Sequence, residues 1–237
     1  MDNTKNSEWS FGAVAFIDVL GFSSFVENDA KTIEPKNLLK LREILKGVKD
    51  TAPDLDVRAF SDSIVISADL ESTAVSRLLT TVVNLQRHFV SGGVLIRGGV
   101  AFGKHYADET LIYSEALIRA YELERDKARF PRILVAKDLI DWYFHNQNTE
   151  ASDANFVRSI LLTDRDGMDF IDYLQEEFIQ SHLKTISAYQ KLKTTPSVLE
   201  KIQWICQYHN FSADRFGSPN KYDGPMLTGF HSITIKP

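Results

Sequence analysis

The chain has 237 residues, 43% hydrophobic and 25% charged, an ordinary balance for a globular protein that buries one substantial core. Its 27 Lys and Arg against 32 Asp and Glu leave a net charge of −5, without the basic excess of a protein that tracks nucleic-acid phosphates. A single cysteine, Cys206, excludes an internal disulfide or a cysteine-rich zinc site, and neither an apolar leader nor a bilayer-length apolar run is present, so the expectation is a cytoplasmic protein without nucleic-acid or membrane partners.

Residues 11–19 form an apolar run that predicts a buried strand, followed at Gly21 by a tight turn and at Ser23 and Ser24 by a helix start. Apolar residues at helical spacing from Leu38 to Val48, between Pro35 and Pro53, predict an amphipathic helix. Two strands follow, Asp56 to Phe60 and Ile64 to Ala68, joined across Ser61-Asp62-Ser63 as a hairpin with Asp62 at its tip. A helix from Ser72 to Phe89 ends before Gly92 and Gly93, and Val94 to Phe102 is again a strand. Glu115 to Arg129 predicts a helix, Ile133 to Ala136 a short strand feeding a helix to Phe144, and Asn146 to Ala154 a polar loop. Strands are expected at Phe156 to Thr163 and Met168 to Ile171, about the turn Asp164-Arg165-Asp166-Gly167. Helices at Tyr173 to Leu192 and Ser197 to Tyr208 precede an irregular tail from Asn210.

This order predicts an α/β (α+β) fold with a ferredoxin-like core, a mostly antiparallel sheet carrying helices on one face. The expected division is a domain over residues 1–172 with a C-terminal helical extension, 173–237, packed on the same domain.

Asp18 and Asp62 each follow a strand-like run, so both carboxylates emerge where the backbone leaves the sheet. Two hard oxygen ligands in that setting make a candidate Mg²⁺ or Mn²⁺ site. Taken singly, Asp18 reads as a turn or cap residue, and Arg58 as a solvated strand residue paired with Asp56 or Glu71, and only the surrounding pattern lifts either above that. Gly98, Gly99, Gly103 and Lys104 approach a P-loop, but His105 stands where Ser or Thr must hold Mg²⁺ and no helix pattern follows. The histidines show no short metal-ligand spacing.

The segments Phe16-Ile17-Asp18-Val19-Leu20-Gly21-Phe22-Ser23, Phe60-Ser61-Asp62-Ser63, Ile96-Arg97-Gly98-Gly99-Val100-Ala101-Phe102-Gly103 and Ala120-Tyr121-Glu122-Leu123-Glu124 together resemble the catalytic domain of class III nucleotidyl cyclases over roughly residues 11–172. The resemblance implies a homodimer with sites shared across the interface. It implies two divalent ions per site, Mn²⁺ or Mg²⁺, on Asp18, Asp62 and the Val19 carbonyl, with Phe16, Val19, Gly21, Phe22, Arg58 and Arg97 binding the nucleoside triphosphate. Where this family reads adenine with a lysine or guanine with a glutamate, the chain has Arg58, whose fixed donors suit the carbonyl oxygens of uracil, or the O2 and N3 acceptors of cytosine, better than a purine edge. That departure makes the chain similar to the pyrimidine cyclases of bacterial Pycsar anti-phage systems, which implies UTP as substrate, cyclic UMP as product and a separate effector protein as its target. CTP or ATP cyclisation, and nucleotide sensing without turnover, remain as alternatives. The family's asparagine and arginine on the helix after the third strand region become Ile118 and Glu122, so Arg119, Arg125 or Arg97 is left to stabilise the transition state, and Arg119 is taken as catalytic.

Overall fold

The computed structural model describes residues 9–191 and 195–224. The chain divides into two compact units, Met1–Tyr173 and Leu174–Pro237.

The first unit is built on β1 (Ser10–Val19), α1 (Phe22–Asp29), α2 (Lys36–Thr51), β2 (Asp56–Phe60), β3 (Ser63–Asp69), α3 (Ser72–Ser91) and β4 (Ile96–Ala107). The strands lie in the order β2-β3-β1-β4 with each neighbouring pair antiparallel. A βαββαβ chain in that order is the ferredoxin-like topology that the element order predicts. β5 (Ile112–Ser114) folds back on β4, and β6 (Ile133–Val135) joins β4 in parallel. β7 (Leu161–Thr163) and β8 (Asp169–Ile171) extend the sheet beyond β6 as an antiparallel hairpin. Between these strands run α4 (Glu115–Glu122), α5 (Lys137–His145) and α6 (Ala151–Ser159).

Register assigns the two faces. Phe16 lies across from Val65 and Gly99, and Asp18 across from Ser63 and Arg97, so these residues share one face. On the alternate face Ala15, Ile17, Ile64, Ile66 and Val100 are buried with Val75, Leu78, Leu79, Val82, Leu85 and Phe89 of α3. Each such side chain contributes roughly 1.5–3 kcal/mol on leaving water, so this layer is the main source of stability. The Phe16 face is covered by α4 instead. A Cβ on Gly99 would collide with the Ala120 carbonyl oxygen, and one on Gly103 would lie 3.0 Å from Ala116 N. Helices therefore flank both faces, where the sequence pattern predicts one, because the glycines of β4 let α4 lie flat on the strand.

Other boundaries shift for identifiable reasons. β4 runs to Ala107 because its far end pairs with β5, whose three residues are too short to show alternation. The predicted helix 115–129 is α-helical only to Glu122 and then widens into a π-helical turn, Leu123–Lys127, closed by the bond from Ala128 N to Leu123 O at 2.9 Å. The expected strand from Phe156 is helical to Ser159, within a segment expected to be loop at its start. There tertiary burial of Val157 overrides a β-favouring local sequence. Arg132, fully buried before β6, ion-pairs with Asp164 and Asp166 in the β7–β8 turn, a clamp that no local pattern announces.

The second unit contains a short 3₁₀ turn (Glu176–Phe178), α7 (Ile179–Gln190) and α8 (Pro196–Arg215). Residues 173–175 are not helical, and α8 continues through the expected start of the tail at Asn210, with His209, Ser212 and Ala213 buried along it. Leu192 and the tail from 225 onward lie outside the described residues. His182 of α7 and His209 of α8 are both buried, their Nδ1 atoms 3.1 Å apart. The Nε2–H of His209 donates to Asn220 O at 2.8 Å, so its Nδ1 is the acceptor and His182 Nδ1–H the donor. Among the described residues no helix is long and apolar enough to cross a membrane.

Candidate active site

The end of β1 and the β2–β3 hairpin meet at one backbone bond, Val19 N to Asp62 O at 2.9 Å. Asp18 precedes Val19 on the strand, so this bond draws the turn that carries Asp62 against the end of the strand that carries Asp18. The hairpin loop is only Ser61 and Asp62, since Phe60 already pairs with Ser63. Ser61 carries a φ of 54°, left-handed at the first of two loop positions, where glycine is usual in such a hairpin. A strained residue directly before Asp62 fixes the point at which that aspartate leaves the strand.

Beyond Val19 the chain turns through Gly21, whose φ of 79° lets α1 begin at Phe22. No side chain caps this helix, leaving the first N–H groups of α1 directed at the same corner as Asp18. Phe22 packs on the core at the start of α1. Phe16 presents its ring edge to Tyr121 of α4, at 5.3 Å between centroids and 85° between planes.

Arg97, opposite Asp18 on β4, bridges two carboxylates. Its Nε lies 3.0 Å from Asp18 Oδ2 and 2.7 Å from Glu124 Oε1. Glu124 is 4% exposed and stands in the π-helical turn. Asp18 and Arg97 are part-exposed, with side chains 18% and 26% accessible, so the network runs from the interior to the site.

The other predicted site residues stand elsewhere. Arg58 pairs with Asp56 on β2, with Nε at 2.8 Å and Nη2 at 2.7 Å from Asp56 Oδ2. Arg119 donates to Phe102 O at 2.7 Å and to Asp138 at 2.6 Å. Phe102 is five residues along β4 from Arg97, which is about 17 Å of strand, so one protomer does not bring Arg119 to Asp18. Arg125 pairs with Asp126 at 2.7 Å and lies over the Tyr121 ring. Ile118 and Glu122 are exposed on α4.

The P-loop resemblance disappears, because Gly98, Gly99, Gly103 and Lys104 are all strand residues of β4. His105 hydrogen-bonds Ser114 Oγ at 2.8 Å, and its burial lowers its basicity below the ordinary imidazole value. Glu124 is the site residue that sequence reasoning left without a role. It follows the buried Ala116 and Ala120 at four-residue intervals, and that spacing is the signal that could have placed it inward.

Among the described residues no group of three or more His, Cys, Asp or Glu is placed to hold a metal ion. A set of two carboxylates and a backbone carbonyl is nevertheless what Mg²⁺ accepts when substrate phosphates and water complete its shell, and Mn²⁺ favours the same oxygen donors. The donors at Asp18, Val19 and Asp62 thus fit such an ion.

No family model and no curated protein matches the chain. Among solved structures it is similar to the monomeric guanylyl cyclase domain of the RhoGC fusion protein from the aquatic fungus Blastocladiella emersonii, with 14% identity, TM-score 0.47, and 68% of this chain against 94% of that one. An adenylate/guanylate cyclase/hydrolase from Silicibacter pomeroyi is similar at 15% identity and TM-score 0.43, over 68% of this chain and 94% of that one. The adenylyl cyclase CyaB from P. aeruginosa is similar at 13% identity and TM-score 0.41, over 70% and 95%.

Proposed function

We propose that the chain is a class III nucleotidyl cyclase that converts UTP to 3′,5′-cyclic UMP and pyrophosphate. The observation that carries this reading is the juxtaposition of the Asp18 strand end, the Asp62 hairpin and the uncapped start of α1, tied by the Val19–Asp62 backbone bond. Asp18, Asp62 and the Val19 carbonyl would hold Mg²⁺ or Mn²⁺, two ions per site. When bound, such ions neutralise the triphosphate and assist both the attacking and the leaving oxygen. The first N–H groups of α1, at Phe22 and Ser23, would bind phosphate oxygens, and Gly21 lets the backbone approach closely. In the reaction the 3′-oxygen forms a bond to the α-phosphorus, the bond to the bridging oxygen breaks, the hydroxyl proton is released and pyrophosphate leaves. Chemistry of this kind depends on positioning and charge more than on a strong protein base.

Arg58 supports uracil as the base. Asp56 accepts from its Nε and ion-pairs with its Nη2, which fixes the guanidinium plane and leaves Nη–H donors for a carbonyl oxygen. Arg119, held by Asp138 and Phe102, would act at the site of a second protomer in a homodimer. As in the anti-phage pyrimidine cyclases, cytoplasmic cyclic UMP would act on a separate effector protein. A second reading, nucleotide sensing without turnover, draws on Ile118 and Glu122, which stand exposed where cyclases of this family carry ribose- and phosphate-directed groups. Incubation with each of the four NTPs and Mn²⁺, with mass spectrometry beside Asp62→Ala, separates the possibilities. Cyclic UMP from the intact protein alone is expected. A purine product overturns the role of Arg58, and binding without pyrophosphate release favours the sensor.

A further inference from the structure

Arg97 has one Nε–H and two carboxylates within reach of it, Glu124 at 2.7 Å and Asp18 at 3.0 Å. The Nε–H donates to Asp18 Oδ2, while Glu124 Oε1 takes no hydrogen bond from it and holds the guanidinium by charge alone, so the two carboxylates compete for one cation. The contact to Asp18 involves Oδ2. Glu124 is buried on a π-helical turn that sits against β4, so its position is set by backbone rather than by a mobile side chain. Were Glu124 uncharged, Arg97 would belong to Asp18 alone, and a cation approaching Asp18 would compete with a full ion pair.

We propose that Glu124 is a positioning residue of the metal site: by the pull of its buried charge on the guanidinium of Arg97 it weakens the hold of Arg97 on Asp18 and keeps an Asp18 oxygen available to a divalent ion. This rests on the assignment of Asp18 as a metal ligand. It goes beyond that assignment in naming what sets the affinity, and it gives the π-turn a purpose. Outer contacts of this kind commonly alter metal affinity by about 10–100-fold.

The test measures Mn²⁺ binding to the full chain, by loss of the free-ion electron paramagnetic resonance signal, for the unaltered protein, Glu124→Gln, Arg97→Gln and the double variant. Glu124→Gln is expected to bind Mn²⁺ about tenfold more weakly. Arg97→Gln should bind at least as tightly as the unaltered protein, and the double variant should match Arg97→Gln, because without the guanidinium Glu124 has nothing to restrain. An unchanged affinity in Glu124→Gln overturns the proposal. So does an equal loss in both backgrounds, which would mark a plain effect of the Glu124 charge. Should Glu124→Gln fail to fold by circular dichroism, Glu124→Asp keeps the charge but draws it back by one methylene. It must then weaken Mn²⁺ binding while preserving the melt, and unaltered binding there overturns the idea. Absence of Mn²⁺ binding in the unaltered protein would instead remove the metal reading of Asp18, and this proposal with it.

Discussion

Gly99 is where the fold and the site meet, and Gly99→Ala is the sharpest test of how they are joined. A Cβ there would sit 2.7 Å from Leu123 Cβ and 3.3 Å from the Ala120 carbonyl carbon, as well as against the Ala120 oxygen. Carbon atoms pack best at about 3.5–4.0 Å, so α4 must lift by close to 1 Å or the strand must bend. The obstructing atoms are backbone and Cβ, which no rotamer change can move aside. Overpacking of this kind costs about 1–3 kcal/mol, and with backbone atoms obstructing we expect the upper half of that range. For a unit of this size that is a fall in Tm of roughly 4–12 °C. Gly47→Ala is the internal control, since Gly47 lies inside α2 with open space at its Cβ position. It should gain about 0.5–1 kcal/mol from helix propensity. Thermal and urea unfolding followed by circular dichroism read both. A Gly99→Ala protein within about 0.5 kcal/mol of the parent would refute the close seating of α4 on β4. Lifting α4 also carries Glu124 away from Arg97, so Mn²⁺ binding should weaken in the same variant.

Ser61→Gly should stabilise the chain by about 1 kcal/mol, because a left-handed φ costs a residue with a Cβ roughly that much. Ser61→Val should destabilise it, and urea midpoints compare the pair. The buried His182–His209 pair predicts acid sensitivity. Burial, and then repulsion from His209, push His182 down to about 3, while burial lowers His209 as well. The unfolded chain therefore takes up protons more readily than the folded one. Stability is complete above the ordinary histidine value near 6.5 and drains as pH falls from there towards 3, a loss on the order of 2 kcal/mol by pH 5 from His182 alone. Depressed carboxylates such as Asp29 and Asp166 lose their contributions only at lower pH. Melts at pH 7.5 and 5 should thus differ in the parent and converge in His182→Gln, and equal melts in the parent would refute the neutral buried pair.

Much of the first unit is legible because each strand and helix there carries its own period. The continuous apolar run of β1, buried from Ala13 through Ala15 and at Ile17, and the helical recurrence of Leu78, Val82 and Leu85, can be read without any partner. The hairpin that holds Asp62 is equally local. What escapes the sequence depends on long-range contact. β5 exists only as a partner of β4, α6 forms although Phe156 and Val157 favour strands, and Arg132 finds its aspartates 32 and 34 residues away. At the site, Asp18 and Asp62 can be picked out because each ends a readable element. The bridge from Arg97 to Glu124 cannot, since it requires both the β1–β4 register and the close seating of α4 on β4.

The charge at this corner bears on the order of binding. Asp18 and Glu124 both pair with the guanidinium of Arg97, and the Asp62 hairpin is tied to the same strand end by the Val19–Asp62 backbone bond, so among Asp18, Asp62, Glu124 and Arg97 carboxylates outnumber guanidinium groups. A triphosphate approaching alone would meet that charge with only the N–H groups at the start of α1 to attract it. Cations bound at Asp18 and Asp62, as proposed, would reverse the sign of the field over the few ångströms that matter, where screening by salt is weak. Nucleotide affinity should therefore depend steeply on divalent-ion concentration. On the proposed reading, base choice would fall to Arg58, which stands on β2 and is oriented by Asp56. If Arg58 reads the base, its separation from the charged corner would let one fold keep its phosphate chemistry while a single strand position changed the base it accepted.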